Sequence, residues 1–159
     1  MDRIKRDEMF LAMAFVTSLR GTCNRLQVGS IIVKDNHVVS TGYNGTPPKV
    51  PHCQHEFDEP CSAAVHSEAN AIAFAARAGI KTEGATIYIT SSPCNECAKL
   101  IISSGISRVV YLYDYRDIKP LELLHQAGVK VDTFDSVDPV FRVLEEAWKI
   151  QYNPGGKPR

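Results

Sequence analysis

The chain has 159 residues, with 18 basic and 18 acidic side chains and a formal net charge of +0. That length fits one domain with a core large enough to hold without staples. Duplex DNA and tRNA binders usually carry a basic excess, so the balance favours a small substrate, and no apolar run approaches the roughly 18 residues of a membrane span.

Residues 1–11 include Asp2, Arg3, Lys5, Arg6, Asp7 and Glu8, which does not read as a signal peptide. A cytoplasmic location is therefore expected. In that compartment the five cysteines point to metal ligands or free thiols rather than disulfides.

Phe10, Ala14, Val16-Thr17 and Leu19 lie at helical spacing and predict an opening helix running to about Arg20, stopped by Gly21. The β-branched runs 28–33 and 37–41, joined at Lys34-Asp35-Asn36, predict a hairpin. The stretch 45–60, with Pro47, Pro48, Pro51 and Pro60, reads as a loop. An alanine-rich helix is predicted over 63–78, ending at Gly79. A strand over 86–90 follows, then a helix from Pro93 to about Ser104, with Pro93 in its first turn and Gly105 as its stop. The remainder reads as a strand over 108–113, a helix over 120–127 closed by Gly128, a strand over 129–134 and a last helix over 139–150. That last helix places Val140, Val143, Leu144, Ala147 and Trp148 on one stripe. The order predicts a single domain over 1–150, a three-layer α/β/α sandwich on a mixed five-stranded sheet, with a disordered tail over 151–159.

The chemistry concentrates in His66-Ser67-Glu68 and Pro93-Cys94-Asn95-Glu96-Cys97. One imidazole and two thiolates suit Zn²⁺ and leave its fourth tetrahedral position open. Cys94 and Cys97 stand i and i+3 at a helix start, on one face, where the helix dipole favours thiolate. Glu68 is placed to act as proton carrier beside the metal without being a ligand.

These two motifs, with Gly42-Tyr43-Asn44-Gly45, His66 to Ile72 and Ser92 to Lys99, resemble the zinc-dependent cytidine/deoxycytidylate deaminase family, and within it the deoxycytidylate deaminases. The likeness is continuous from about Asp7 to about Phe134. One departure is Ser67, where the family usually has alanine, a small-for-small change expected to leave the metal site intact. The resemblance implies the cytidine deaminase-like fold and hydrolysis of dCMP to dUMP and ammonia. It implies one catalytic Zn²⁺ per chain on His66, Cys94 and Cys97, with Glu68 as the catalytic residue.

By the same resemblance Asn44 reaches the substrate's sugar or base edge, Tyr115 lies against the pyrimidine and Arg25 holds the 5′-phosphate. As bare sequence, Asn44-Gly45 is also an ordinary turn, Tyr115 an exposed loop residue and Arg25 a solvated one. Phe74 and Arg77 match the family too and suggest a subunit contact, with plain helix-surface packing as the alternative. Some relatives hold a second, structural zinc, and here Cys23 and Cys53 stand where those sequences carry ligands. Cys61 and either His55 or His52 would complete that set; otherwise these are free thiols and solvent histidines. The resemblance further implies a homo-oligomer, commonly a hexamer, regulated by dCTP with Mg²⁺ and by dTTP. No nucleic acid or membrane partner is expected. Two alternatives stay open at this point. One is a related deaminase acting on tRNA adenosine, guanine or a free nucleoside; the other is a non-catalytic zinc or nucleotide-binding module, which would have no need of Glu68.

Overall fold

In the computed structural model, residues 4–54, 61–115, 117–134 and 138–151 are described. Among these residues five helices and five strands follow one another as α1 (Arg6–Ser18), β1 (Gly29–Lys34), β2 (His37–Tyr43), α2 (Ser67–Arg77), β3 (Thr86–Ser91), α3 (Asn95–Ser103), β4 (Arg108–Tyr113), α4 (Lys119–Gln126), β5 (Lys130–Thr133) and α5 (Asp138–Gln151). The strands form one mixed sheet in the order β2-β1-β3-β4-β5. β1 is antiparallel to β2 and β3, while β3, β4 and β5 run parallel. The expected α/β architecture and strand number are those observed.

Period-two alternation sends the strand side chains to two cores. Ile31 and Val33 of β1, Tyr88 of β3, and Val110 and Leu112 of β4 pack with Phe10, Leu11 and Ala14 of α1. On the other face Ile32, Ile87, Ile89, Val109 and Tyr111 pack with Ala71 of α2, Ala98 and Ile101 of α3 and Leu124 of α4. α5 joins the α1 layer, where Phe15 meets Phe141 edge-on with ring centroids 5.1 Å apart.

Two glycines set how closely the helices approach. A Cβ on Gly29 would come within 2.1 Å of the Ala14 carbonyl oxygen, and one on Gly42 within 2.2 Å of that of Ser67. Any other residue would push α1 off β1, or α2 off β2. The hairpin turns through Asp35 and Asn36, both at positive φ (50° and 63°), the backbone a two-residue type I′ loop requires.

Several boundaries differ from expectation. α2 starts at Ser67 rather than at 63, because Val65 is tied into an antiparallel bridge with Gly45. Its amide donates to the Gly45 carbonyl at 2.8 Å and its carbonyl accepts from the Gly45 amide at 3.1 Å. His66 is consequently the extended residue that caps α2. Likewise Cys94 is the N-cap of α3, so Pro93 lies just before the helix and not in its first turn. Val16 on α1 and Leu19 at its C-cap are exposed; the buried residues of the helix are Phe10, Leu11, Ala12, Ala14 and Ser18. Apolar residues surround this helix on most sides, and only the sheet decides which go in. Leu144 and Trp148 of α5 are exposed as well, and the side chains of Val140 and Ala147 lie outside what is described. All of the expected tail except Gln151 also falls outside the described residues.

Candidate active site

The parallel strands β3 and β4 end at Ser91 and Tyr113, and α2 and α3 begin beside them. Ligands of open α/β sheets bind outside the carboxyl ends of such strands. Here the N-termini of α2 and α3 deliver His66, Glu68, Cys94 and Cys97 to that edge. His66 Nδ1 stands 3.4 Å from Cys94 Sγ and 3.5 Å from Cys97 Sγ, and the three ligand atoms lie within 4.8 Å of one another. Zinc bonded at about 2.3 Å to sulfur and about 2.0 Å to nitrogen places those atoms about 3.6 Å apart at the tetrahedral angle. The three side chains fit that ion.

The electrostatics fit it too. Contact with Cys97 and with His66 pushes the Cys94 thiol down to about 3. The same contact with Cys94, helped by burial, pushes Cys97 up. Contact with Cys94 also raises His66, against its partial burial. Two thiols this close share one negative charge, which the neighbouring imidazole favours by holding its proton, until a metal cation takes that place. Cys97 is buried, Cys94 half-buried and His66 exposed, so a metal held here would keep an open side.

That side faces a cavity of about 510 Å³, lined by Arg25, Asn44, His66, Glu68, Cys94 and Tyr115 among others. Glu68 is 4% exposed. Burial raises its affinity for a proton, opposed by its own backbone amide and by the Ser67 hydroxyl.

Arg25 and Tyr115 line this cavity. The Tyr115 amide donates to Ser92 Oγ at 2.6 Å. Asn44 lines it as well, but its amide is engaged by the chain. Oδ1 accepts from the Val28 amide at 2.8 Å, and Nδ2 donates to the Leu26 carbonyl. Asn44 thus ties the end of β2 to the loop that carries Arg25.

Of the second cysteine group, Cys53 Sγ and Cys61 Sγ are 3.1 Å apart, and Cys23, buried, interacts with both. Bonding to Cys61 and burial push the Cys53 thiol up to about 11. His52 is exposed, and His55 lies outside the described residues. Cys23 and Cys61 also line the cavity, which joins the two groups along one wall. Sequence reasoning missed Ser92 as a site residue, whose small polar side chain carries no periodic or spacing signal.

Residues 4–113 match the cytidine and deoxycytidylate deaminase zinc-binding region. The chain belongs to that family. A ComE operon protein 2 from Bacillus subtilis is 38% identical over 160 residues, covering 98% of this chain and 84% of that protein. A deoxycytidylate deaminase of Mycobacterium phage D29 is 38% identical over 126 residues, covering 70% of this chain and 97% of its own. A crystal structure of the cyanophage S-TIM5 dCMP deaminase, in complex with dCMP and dUMP, superposes with a TM-score of 0.78 at 29% identity, over 84% of this chain and 100% of that one. Membership in the family makes this chain a zinc-dependent deaminase. No helix among the described residues is long and apolar enough to cross a membrane.

Proposed function

We infer that this chain hydrolyses dCMP to dUMP and ammonia. The observation that carries the reading is the convergence of His66, Cys94 and Cys97 beside the buried carboxyl of Glu68. Their cavity, at about 510 Å³, falls within the roughly 300–1,000 Å³ of small-molecule sites. Relatives named deoxycytidylate deaminase, and the related structure holding dCMP and dUMP, point to the nucleotide.

His66, Cys94 and Cys97 would hold the zinc, which would supply Lewis acidity and bring the pKa of a bound water to about 7. Glu68 takes the proton of the water that attacks C4 and delivers it to ring N3. It then carries the remaining hydroxyl proton to the exocyclic amine, which leaves as ammonia while C4 regains its double bond to oxygen. A single carboxyl serves each transfer because the reacting atoms stay within hydrogen-bond reach. Burial suits that work, since a desolvated carboxyl holds a proton between steps more readily than an exposed one.

Arg25 takes the 5′-phosphate as a charge-assisted donor, and Tyr115 lies against the pyrimidine. Asn44 keeps the Arg25 loop in place, and the second hydrogen of its Nδ2 is the one that reaches the sugar or base edge. Cys23, Cys53, Cys61 and one of His55 or His52 would hold a second zinc, which would complete the site wall. The short Cys53–Cys61 approach supports it, and thiolates with imidazole suit zinc over magnesium or calcium. Assaying dCMP, CMP, deoxycytidine and adenosine side by side tests the substrate: dCMP should be turned over fastest. A preference for deoxycytidine, or turnover of adenosine without dCMP, would overturn the reading.

A further inference from the structure

Ser67 stands between the metal ligand His66 and the proton carrier Glu68, fully buried. Its Oγ lies 2.9 Å from Glu68 Oε2 and 2.6 Å from the Oγ of Ser30, itself fully buried on β1. A hydroxyl has one proton to donate, and a carboxylate only accepts. The proton of Ser67 therefore goes to Glu68, and that of Ser30 goes to Ser67. The chain runs one way, from the sheet through the first turn of α2 to the carboxylate, and bonds of the same sense polarise one another.

A glutamate's last torsion is broad, so burial by itself does not set which way the carboxylate plane faces. A donor fixed on Oε2 does set it, and with it the direction of Oε1. The donor is fixed because the helix turn that bears it is fixed. α2 rests so closely on Gly42 that a Cβ there would come 2.2 Å from the Ser67 carbonyl oxygen. We propose that Ser67, oriented by Ser30, is a positioning residue that locks the Glu68 carboxylate plane for proton transfer. The inference rests on Glu68 being the proton carrier.

Zinc-loaded Ser67→Ala, Ser67→Thr, Ser30→Ala, the Ser30→Ala/Ser67→Ala double variant and Glu68→Ala are compared with wild type for kcat, KM for dCMP and zinc content. Ser67→Ala should lower kcat about 10-fold, the scale of one hydrogen bond to a charged group, with KM and zinc content unchanged. Ser67→Thr keeps the hydroxyl and should retain kcat within about threefold. Ser30→Ala, which leaves α2 untouched, should give a smaller loss. The double variant should be no slower than Ser67→Ala, since Ser30 acts only through Ser67. Wild-type kcat in Ser67→Ala, a loss tracking zinc content, or additive losses in the double variant would each overturn the proposal. If Glu68→Ala turns over dCMP normally, the fault lies in the reading of Glu68. If Glu68→Ala is inactive while Ser67→Ala matches wild type, only the positioning role fails.

Discussion

The two ends of β3 and β4 carry polar clusters of comparable size, and only one of them is built for chemistry. At the amino ends Arg108 grips Asp7 with two bonds of 2.9 Å and Asp132 with a third of 2.6 Å. Tyr88 donates to Asp7 at 2.6 Å, and Lys130 stands 3.1 Å from Asp132. Each charge has an opposite partner. Arg108 holds the Asp7 carboxyl below its usual range. At Asp132 burial pushes upward, but Arg108 and Lys130 outweigh it. At the carboxyl ends, like groups meet instead. Cys94 and Cys97 compete for one charge, and Glu68 is driven toward its protonated form by burial. Both clusters border a cavity, the amino-end one of about 360 Å³, so a cavity with titratable groups does not separate them. Charge complementarity does. A cluster that satisfies itself stabilises the fold, and one that cannot satisfy itself takes up a cation and a substrate.

Substitutions at the two ends should therefore fail in different ways. The largest effect belongs to the carboxyl end: Cys94→Ala should lose the catalytic zinc and turnover of dCMP together while the fold survives. Metal analysis and circular dichroism check this, and loss of the fold would mean that the site is structural. At the amino end, Asp7→Asn should leave kcat within about twofold and lower stability by about 1–2 kcal/mol, the scale of a part-exposed, bidentate pair. For a chain of this size that is a fall of about 3–6 °C in Tm. The sign with pH follows from the lowered carboxyls. Their stabilisation is present above the unfolded value near 3.8 and is lost as pH falls through the lower folded values. The acid unfolding of wild type should thus include a component below pH 4 that is smaller in Asp7→Asn, where only the Asp132 part remains. The smallest effect is expected along the shared wall. Cys53→Ser should reduce zinc by one equivalent per chain, raise KM for dCMP and lower Tm slightly, with the catalytic zinc retained. One zinc per native chain, with Cys23 and Cys53 freely alkylated, would remove the second site.

Much of this contrast is legible in the sequence, because the ligands sit at local helix starts. The spacing of Cys94 and Cys97 and the offset of Glu68 from His66 are consequences of two N-terminal turns. What escapes the sequence is settled by distant partners. Ala63 and Ala64 read as helix, yet the bridge between Val65 and Gly45 keeps the chain extended up to His66. That extension is what puts the imidazole at the helix end rather than inside it. Asn44 reads as a turn residue or a substrate contact, while its amide is bonded to backbone 16 and 18 positions away in the chain. Ser30 gives no sign of itself until β1 is laid against α2 and its hydroxyl meets that of Ser67.

Proton transfer on a nucleotide is thus the work of the carboxyl end of the sheet, and of Glu68 within it. Single-turnover measurement of dCMP deamination by zinc-loaded Glu68→Gln tests it most directly. The substitution keeps the size of the side chain and removes its charge and its proton. Zinc content should match wild type and the rate should fall by about 10²–10⁴-fold, the range of a positioned general acid–base group. A rate within a few fold of wild type, with zinc fully bound, would contradict it.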